Sequence, residues 1–353
     1  MKQALVKLLP KNAILALKSK IDGVDMMMIR LFSKNGFLAS FYYTFFSRQF
    51  YREHKAVLDG RLAYERSLAL IGHTCILLRR NIHRLEKGLI MQPRRDVFAD
   101  GYIFETVECY NAAINSTELC SDEKKWATDV LTRYFEVVGH NSKIDKARAI
   151  FSPRSPVGSE TLSVPYAYKE LPDCPVDFDQ LLTLFKRRRS VRWYQNKPVD
   201  IADIRKAVNA ASLAPSACNR QPFEFHVVND SDKATDIANC AMGTVGFSDN
   251  LPCIIAIVGN LNAYPAERDR HIIYIDASLA SMQLMLALET LGLSTCSINW
   301  PDVEQREKML NTKLKLKYHE RVVMLLAVGY ADKDGGIPFS QKKSDSLLVK
   351  EVK

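Results

Sequence analysis

Between Pro153 and Pro175 the chain carries five prolines, with Gly158 and several serines among them. Proline fixes φ and removes a backbone donor, so neither a helix interior nor a central strand can be threaded through such a stretch. Residues 151–176 are therefore expected to form a connector or an extended arm. The hydrophobic rhythm changes across it. Residues 1–150 read as a helical region, and 177–353 alternate between helical and strand-like segments.

In the helical region, Leu68, Leu70, Ile71, Cys75, Leu78, Ile82 and Leu85 recur at three- and four-residue intervals, the spacing of a buried helix face. Glu105–Ala113 and Ser121–Val138 are two more expected helices, and no repeat is present. In the tract Arg79–Gly88, His83 and Glu86 would share a helical face. That spacing admits acid/base or metal work, but a solvated, salt-bridged face is its commoner outcome, and no catalytic role is assigned.

The N-terminal segment sets Lys7, Lys11, Lys18 and Lys20 among Leu and Ile residues before Met26–Phe32. A basic amphipathic segment of this kind can lie on an anionic membrane surface, or pack as a helix on its own protein, which is more usual. Elsewhere no run approaches the ~18–20 uninterrupted apolar residues of a spanning helix.

Composition narrows the function classes. With 47% hydrophobic and 25% charged residues in 353, the chain can bury a sizeable core, and disorder is excluded as its main state. A net charge of +9 invites a nucleic-acid or anionic-membrane partner, but no zinc-finger spacing or RNA-binding aromatic signature supports nucleic acid. The eight cysteines form no C-x-x-C, and several sit in apolar runs such as Leu251–Ile255. They read as reduced thiols, and a cytoplasmic location is expected.

In the second half, Phe178–Arg187 is an expected helix, and Asp200 is a natural N-cap for a helix over Ile201–Leu213 that stops before Pro215. Phe223–Val228, Ile254–Val258 and Val322–Val328 suit strands, the last two buried on both faces. Ala277–Leu291 carries no charge until Glu289, so this helix must be buried almost all round, in the core or against a second subunit, and Gly292 ends it. The fold class expected is α+β, a mixed sheet flanked by helices.

Three segments carry chemistry. Lys186–Arg192 gathers five basic groups and Ser190 at a helix end, which suits a phosphate, since guanidinium pairs with it bidentately. Cations at a helix C-terminus are also favoured by the macrodipole alone. Ala214–Phe223, with Pro215, Ser216 and Asn219, is either a turn or a loop that hydrogen-bonds a planar heterocycle. Pro338–Lys343 follows the last strand as a polar tail.

Taken in order, R-R-S-x-R, a helix, A-P-S-x-x-N-x-Q-P-[aromatic], an apolar helix ending L-G-L, then V-G-Y and S-x-[basic]-[basic] resemble the FMN-dependent nitroreductase family over about residues 177–350. Phe223 and Ser294 stand where the family often has Trp and Gly.

The resemblance implies an intertwined homodimer with FMN at the subunit interface and the 277–291 helix at its centre. It assigns Arg188, Arg189 and Ser190 to the FMN phosphate and ribityl chain. Arg192 falls near the flavin N1/O2 edge, where a cation stabilises the reduced ring. Pro215, Ser216 and Asn219 go to its pyrimidine end, backbone near Ile298, Asn299 and Trp300 to the N5 side, and Lys342 and Lys343 to the phosphate. The activity implied is ping-pong hydride transfer from NAD(P)H through flavin N5 to a small organic acceptor such as a nitroaromatic or quinone, with no side-chain nucleophile. The alternative is an FMN-retaining binding or scaffold protein at a membrane surface.

Overall fold

The computed structural model describes residues 10–153 and 161–352; the segment 1–9 with Lys7, and Pro156 and Gly158 of the connector, lie outside the described residues. The chain divides into two compact units, Met1–Lys55 and Ala56–Lys353, so the proline-rich 151–176 segment falls inside the second unit.

The first unit holds helices α1 (Lys11–Phe32) and α2 (Gly36–Phe45) and the start of α3 (Tyr51–Ser67). Asn35 caps α2, its side chain accepting from the Leu38 amide at 2.9 Å.

In the second unit a helical module of α4 (Ile76–Leu89), α5 (Ile103–Ala113), α6 (Ser121–Val137) and α7 (Ser142–Ile150) packs around its own core, with Leu78, Ile82, Leu85, Ile103, Tyr110 and Tyr134 almost fully buried. The expected helical face from Leu68 to Leu85 is broken: the chain leaves α3 at Ser67, and α4 begins only after Cys75. The restart is made by Glu123 of α6, whose carboxylate accepts from the Cys75 amide at 2.9 Å and the Thr74 hydroxyl at 2.7 Å. A cap from another helix, invisible to local periodicity, overrides the pattern.

The sheet contains β1 (Phe223–Val228), β2 (Cys253–Asn260), β3 (Ser294–Asn299) and β4 (Glu320–Gly329) in the order β1-β2-β4-β3. All its ladders are antiparallel, where a mixed sheet was expected, and among the described residues the parallel component is an isolated bridge between Ser190 and Thr295. The α+β class stands on this antiparallel sheet and its flanking helices. Strand β2 is buried on both faces. Cys253, Ile255 and Ile257 join Ala277, Leu284 and Leu288 of α11 (Ile272–Thr290) and Ile204 and Ala207 of α9 (Ile201–Ala211). Ile254, Ala256 and Val258 face Ala234 and Ile237 of α10 (Ser231–Ala238) and Leu310 of α12 (Glu304–Leu314). Each fully buried isoleucine contributes about 1.5–3 kcal/mol.

Helix α8 (Phe178–Arg187) has the expected limits, with Asp177 and Gln180 forming a capping box. Asp200 caps α9 by accepting from the Ala202 amide at 2.8 Å. Gly292, at φ 78°, closes α11, a backbone conformation that glycine adopts without steric cost. Among the described residues, Glu267–Thr290 is long and apolar enough by composition to cross a membrane; packing on the sheet and α9 buries one side of it. Helix α13 (Asp345–Leu348) ends the described chain.

Candidate functional site

The segment after α8 is drawn onto the sheet edge. Val191 donates its amide to the Thr295 carbonyl at 3.0 Å beside the Ser190–Thr295 bridge, which lays Arg188–Arg192 along the start of β3. Arg189 donates to the carbonyls of Pro338, at 2.8 Å, and Phe339, bringing the tail that bears Lys342 and Lys343 to the arginine cluster. The Arg192 guanidinium lies 5.8 Å from the Phe247 ring, and the Arg192 carbonyl accepts from Asn250 at 2.6 Å.

Two buried groups sense these cations. Burial pushes the Glu289 carboxyl up, opposed by Arg187 and Arg188, and Arg187 pairs with it at 3.0 Å. Burial also raises the Cys296 thiol, opposed by Arg192 and Arg188. Arg188 and Arg192 thus lie within electrostatic reach of Cys296, Arg189 holds the backbone of Pro338 and Phe339, and Arg187 pairs with Glu289.

The second group is the loop after α9. Cys218, Asn219 and Gln221 adopt φ of 54°, 50° and 49°. Three left-handed non-glycine residues in four positions cost on the order of 1 kcal/mol each and persist only where the surroundings over-determine them. Here they do. The Ala217 amide donates to Asp276 Oδ2 of α11 at 2.9 Å, the Gln221 amide to Ser216 Oγ at 3.1 Å, and Gln221 Nε2 to the Ser212 carbonyl at 2.7 Å. Arg79 of α4 donates to the Asn219 carbonyl and to Gln221 Oε1, both at 3.2 Å. Asp276 is only 4% exposed; burial raises its pKa, opposed by bonds from Ala217 and Tyr264.

Ile298, Asn299 and Trp300 lie toward the far end of β3 from Ser190. The Ile298 side chain is buried in the core and the Trp300 indole donates inward to Glu307 at 2.6 Å, while Asn299 is exposed, so backbone and the Asn299 side chain remain for a ligand.

Within one chain the two motif groups are not brought together. The loop of Pro215, Ser216 and Asn219 is tied to Asp276 through the Ala217 amide, and the arginine segment to Glu289 through Arg187, with Arg188 within electrostatic reach. These anchors stand thirteen residues apart on α11, about 20 Å along its axis. On the same helix Ile275, Leu279 and Met282 stay exposed at helical spacing, an uncovered apolar stripe.

Sequence reasoning missed Arg79, Asp276 and Glu289 as anchors. Asp276 carries a signal, being the lone charge between Ile272 and Leu288. Arg79 carries none, since only the tertiary fold brings α4 to this loop. His83 and Glu86 do pair within α4, at 3.0 Å, and Glu86 also accepts from Trp126 of α6 at 2.8 Å, which ties the two helices.

Residues 185–248 and 234–330 match the Nitroreductase family. Iodotyrosine deiodinase 1 of Homo sapiens is 27% identical over 213 residues, 52% of this chain and 72% of the relative. An FMN-dependent nitroreductase from Clostridium difficile is 27% identical and superposes with a TM-score of 0.39 over 47% of this chain and 92% of that one. A nitroreductase family protein from Streptococcus pneumoniae is 24% identical, with a TM-score of 0.43 over 49% of this chain and 100% of that one.

Proposed function

Because its C-terminal half carries a nitroreductase-family domain, we propose that this chain is an FMN-dependent oxidoreductase that works as a homodimer. The observation that carries this reading is the separation of the two motif groups at opposite ends of α11, together with the exposed stripe of Ile275, Leu279 and Met282. A second copy packed on that stripe would bury it, and could set the Asn219 loop of one protomer against the arginine cluster of the other.

The residues fit FMN. Arg188, Arg189 and Ser190, with Lys342 and Lys343 on the tail that follows the Arg189-bound Pro338, offer charge-assisted donors for a phosphate. Ser216 and Asn219, on a loop held in left-handed geometry, would meet the polar edge of the ring. Arg192 would place a cation near it. Backbone of Ile298–Trp300 would close the remaining side. FMN bound there would take a hydride from NAD(P)H and pass electrons to a small organic acceptor in a ping-pong cycle. The chain's own residues supply position and electrostatics, with none required as nucleophile.

The acceptor could be a nitroaromatic or quinone, as family likeness implies, or a halogenated phenol, as the deiodinase relative favours. With eight free cysteines, the proposed location is the cytoplasm.

The test is an absorption spectrum of the purified full chain with FMN, followed by anaerobic NADH or NADPH. Flavin bands that bleach, and recover with nitroaromatic, quinone or iodophenol, support the reading and choose the acceptor. Retained flavin that no nicotinamide or acceptor turns over would favour the binding or scaffold role; failure to take up FMN overturns the assignment.

A further inference from the structure

Among the described residues of the first unit, α1 and α2 form a hairpin with no core of its own. Phe32 of α1 packs on Phe41, Tyr42 and Phe46 at ring-centroid distances of 6.2, 5.7 and 5.3 Å. The Tyr42 hydroxyl donates to Asp25 at 3.0 Å, closing α2 on α1. Yet no described side chain between Pro10 and Tyr51 is buried. Met27, Phe37 and Phe45 are 62%, 79% and 68% exposed, and Leu15, Ile21 and Val24 also show more than half of their surface. Scattered exposed apolar residues are ordinary, but a contiguous set of this size marks an interaction surface.

Charge identifies the partner. Residues 1–55 hold ten Lys and Arg against three Asp and Glu, +7 of the chain's +9, and the hairpin itself, residues 11–45, holds five against two. Two such surfaces repel each other, which argues against a second copy as the occupant. α1 cannot cross a bilayer, because Lys18, Lys20, Asp22, Asp25 and Arg30 interrupt it. A hairpin with exposed Phe, Met and Leu set among Lys and Arg has the composition of an element lying in the plane of a lipid interface. Ile21, Val24, Met28, Tyr42 and Phe46 also line a groove of about 490 Å³, with Lys20 and Asp25 among its walls.

We propose that the α1–α2 hairpin is a peripheral docking surface for an anionic phospholipid membrane. Its apolar side chains enter the headgroup boundary while Lys20, Arg30 and Lys34 meet lipid phosphates. This assignment is independent of the flavin reading.

The test is co-flotation of the full chain with vesicles at roughly 0.1 M salt, either pure phosphatidylcholine or roughly three parts phosphatidylcholine to one of phosphatidylglycerol. Expected is binding to the phosphatidylglycerol vesicles at least about tenfold tighter than to the neutral ones. Lys20→Glu/Arg30→Glu/Lys34→Glu, all on exposed positions, should abolish that preference. Phe37→Ser/Phe45→Ser should abolish binding while leaving the far-ultraviolet circular dichroism unchanged. Equal binding to both vesicles overturns the proposal. So does flotation with neither, including the case where the Phe37→Ser/Phe45→Ser variant instead loses a self-association shown by the parent chain.

Discussion

Arg79 Nη2 of α4 lies 3.2 Å from the main-chain oxygen of Asn219, so the helical module holds the motif loop of the C-terminal half from outside it. The same guanidinium pairs with Glu123 at 3.0 Å, and the Glu123 side chain is 3% exposed. Glu123 in turn caps α4. One buried carboxylate therefore links the start of a helix in the module to the geometry of the loop.

Arg79→Met strands that carboxylate and should cost about 3 kcal/mol of stability. Arg79→Met/Glu123→Gln leaves no buried charge unpaired and should lose less. Denaturant unfolding of both variants makes the comparison, and a single variant as stable as the parent would remove Arg79 from this role.

Asp276 has a pKa raised above the usual 3.8, chiefly by burial. A carboxyl whose folded pKa exceeds its unfolded value contributes fully below the unfolded value, and that contribution is lost as pH rises through the folded one. Asp276→Asn keeps an acceptor for the Ala217 amide without a charge, so its stability at neutral pH should match or exceed the parent's, with the acid-side gain gone. Asp276→Ala loses both bonds and should cost about 1–3 kcal/mol. Unfolding midpoints across pH 3 to roughly 8 check the sign.

Arg188→Ala/Ser190→Ala should weaken FMN binding by about 10–100-fold, the loss of charge-assisted phosphate bonds. Unchanged affinity in a fluorescence titration would sink this phosphate assignment. Asn219→Gly is the sharper probe of the loop, because glycine accepts the observed φ of 50° and removes only the side chain. It should alter flavin affinity or potential, and neither changing would return the loop to a purely structural turn.

Leu279→Asp puts a charge in the middle of the exposed α11 stripe. Monomer mass by light scattering and loss of bound flavin should appear together. A monomer that holds FMN as tightly as the parent would show that one chain suffices for the site.

The sequence by itself determined the elements whose stabilisation is local or periodic. Asp177 and Asp200 mark helix starts because a side-chain oxygen can satisfy free amides, and Gly292 marks a helix end because it adopts positive φ. The apolar runs 254–258 and 322–328 form strands because both faces of the sheet are covered. The order of the arginine and Asn219 motifs was legible for the same reason, each being a short contiguous segment.

Tertiary structure alone decided the rest. Leu68–Cys75 leaves the helical pattern because the carboxylate of Glu123, 48 residues beyond Cys75, supplies a cap. The sheet is antiparallel because strand pairing is set by how distant segments meet, which no single run encodes. The strained 218–221 geometry is held by Arg79 and Asp276, partners far away in the chain. And only the fold anchors the two motif segments on residues of α11, Asp276 and Glu289, that stand about 20 Å apart along its axis.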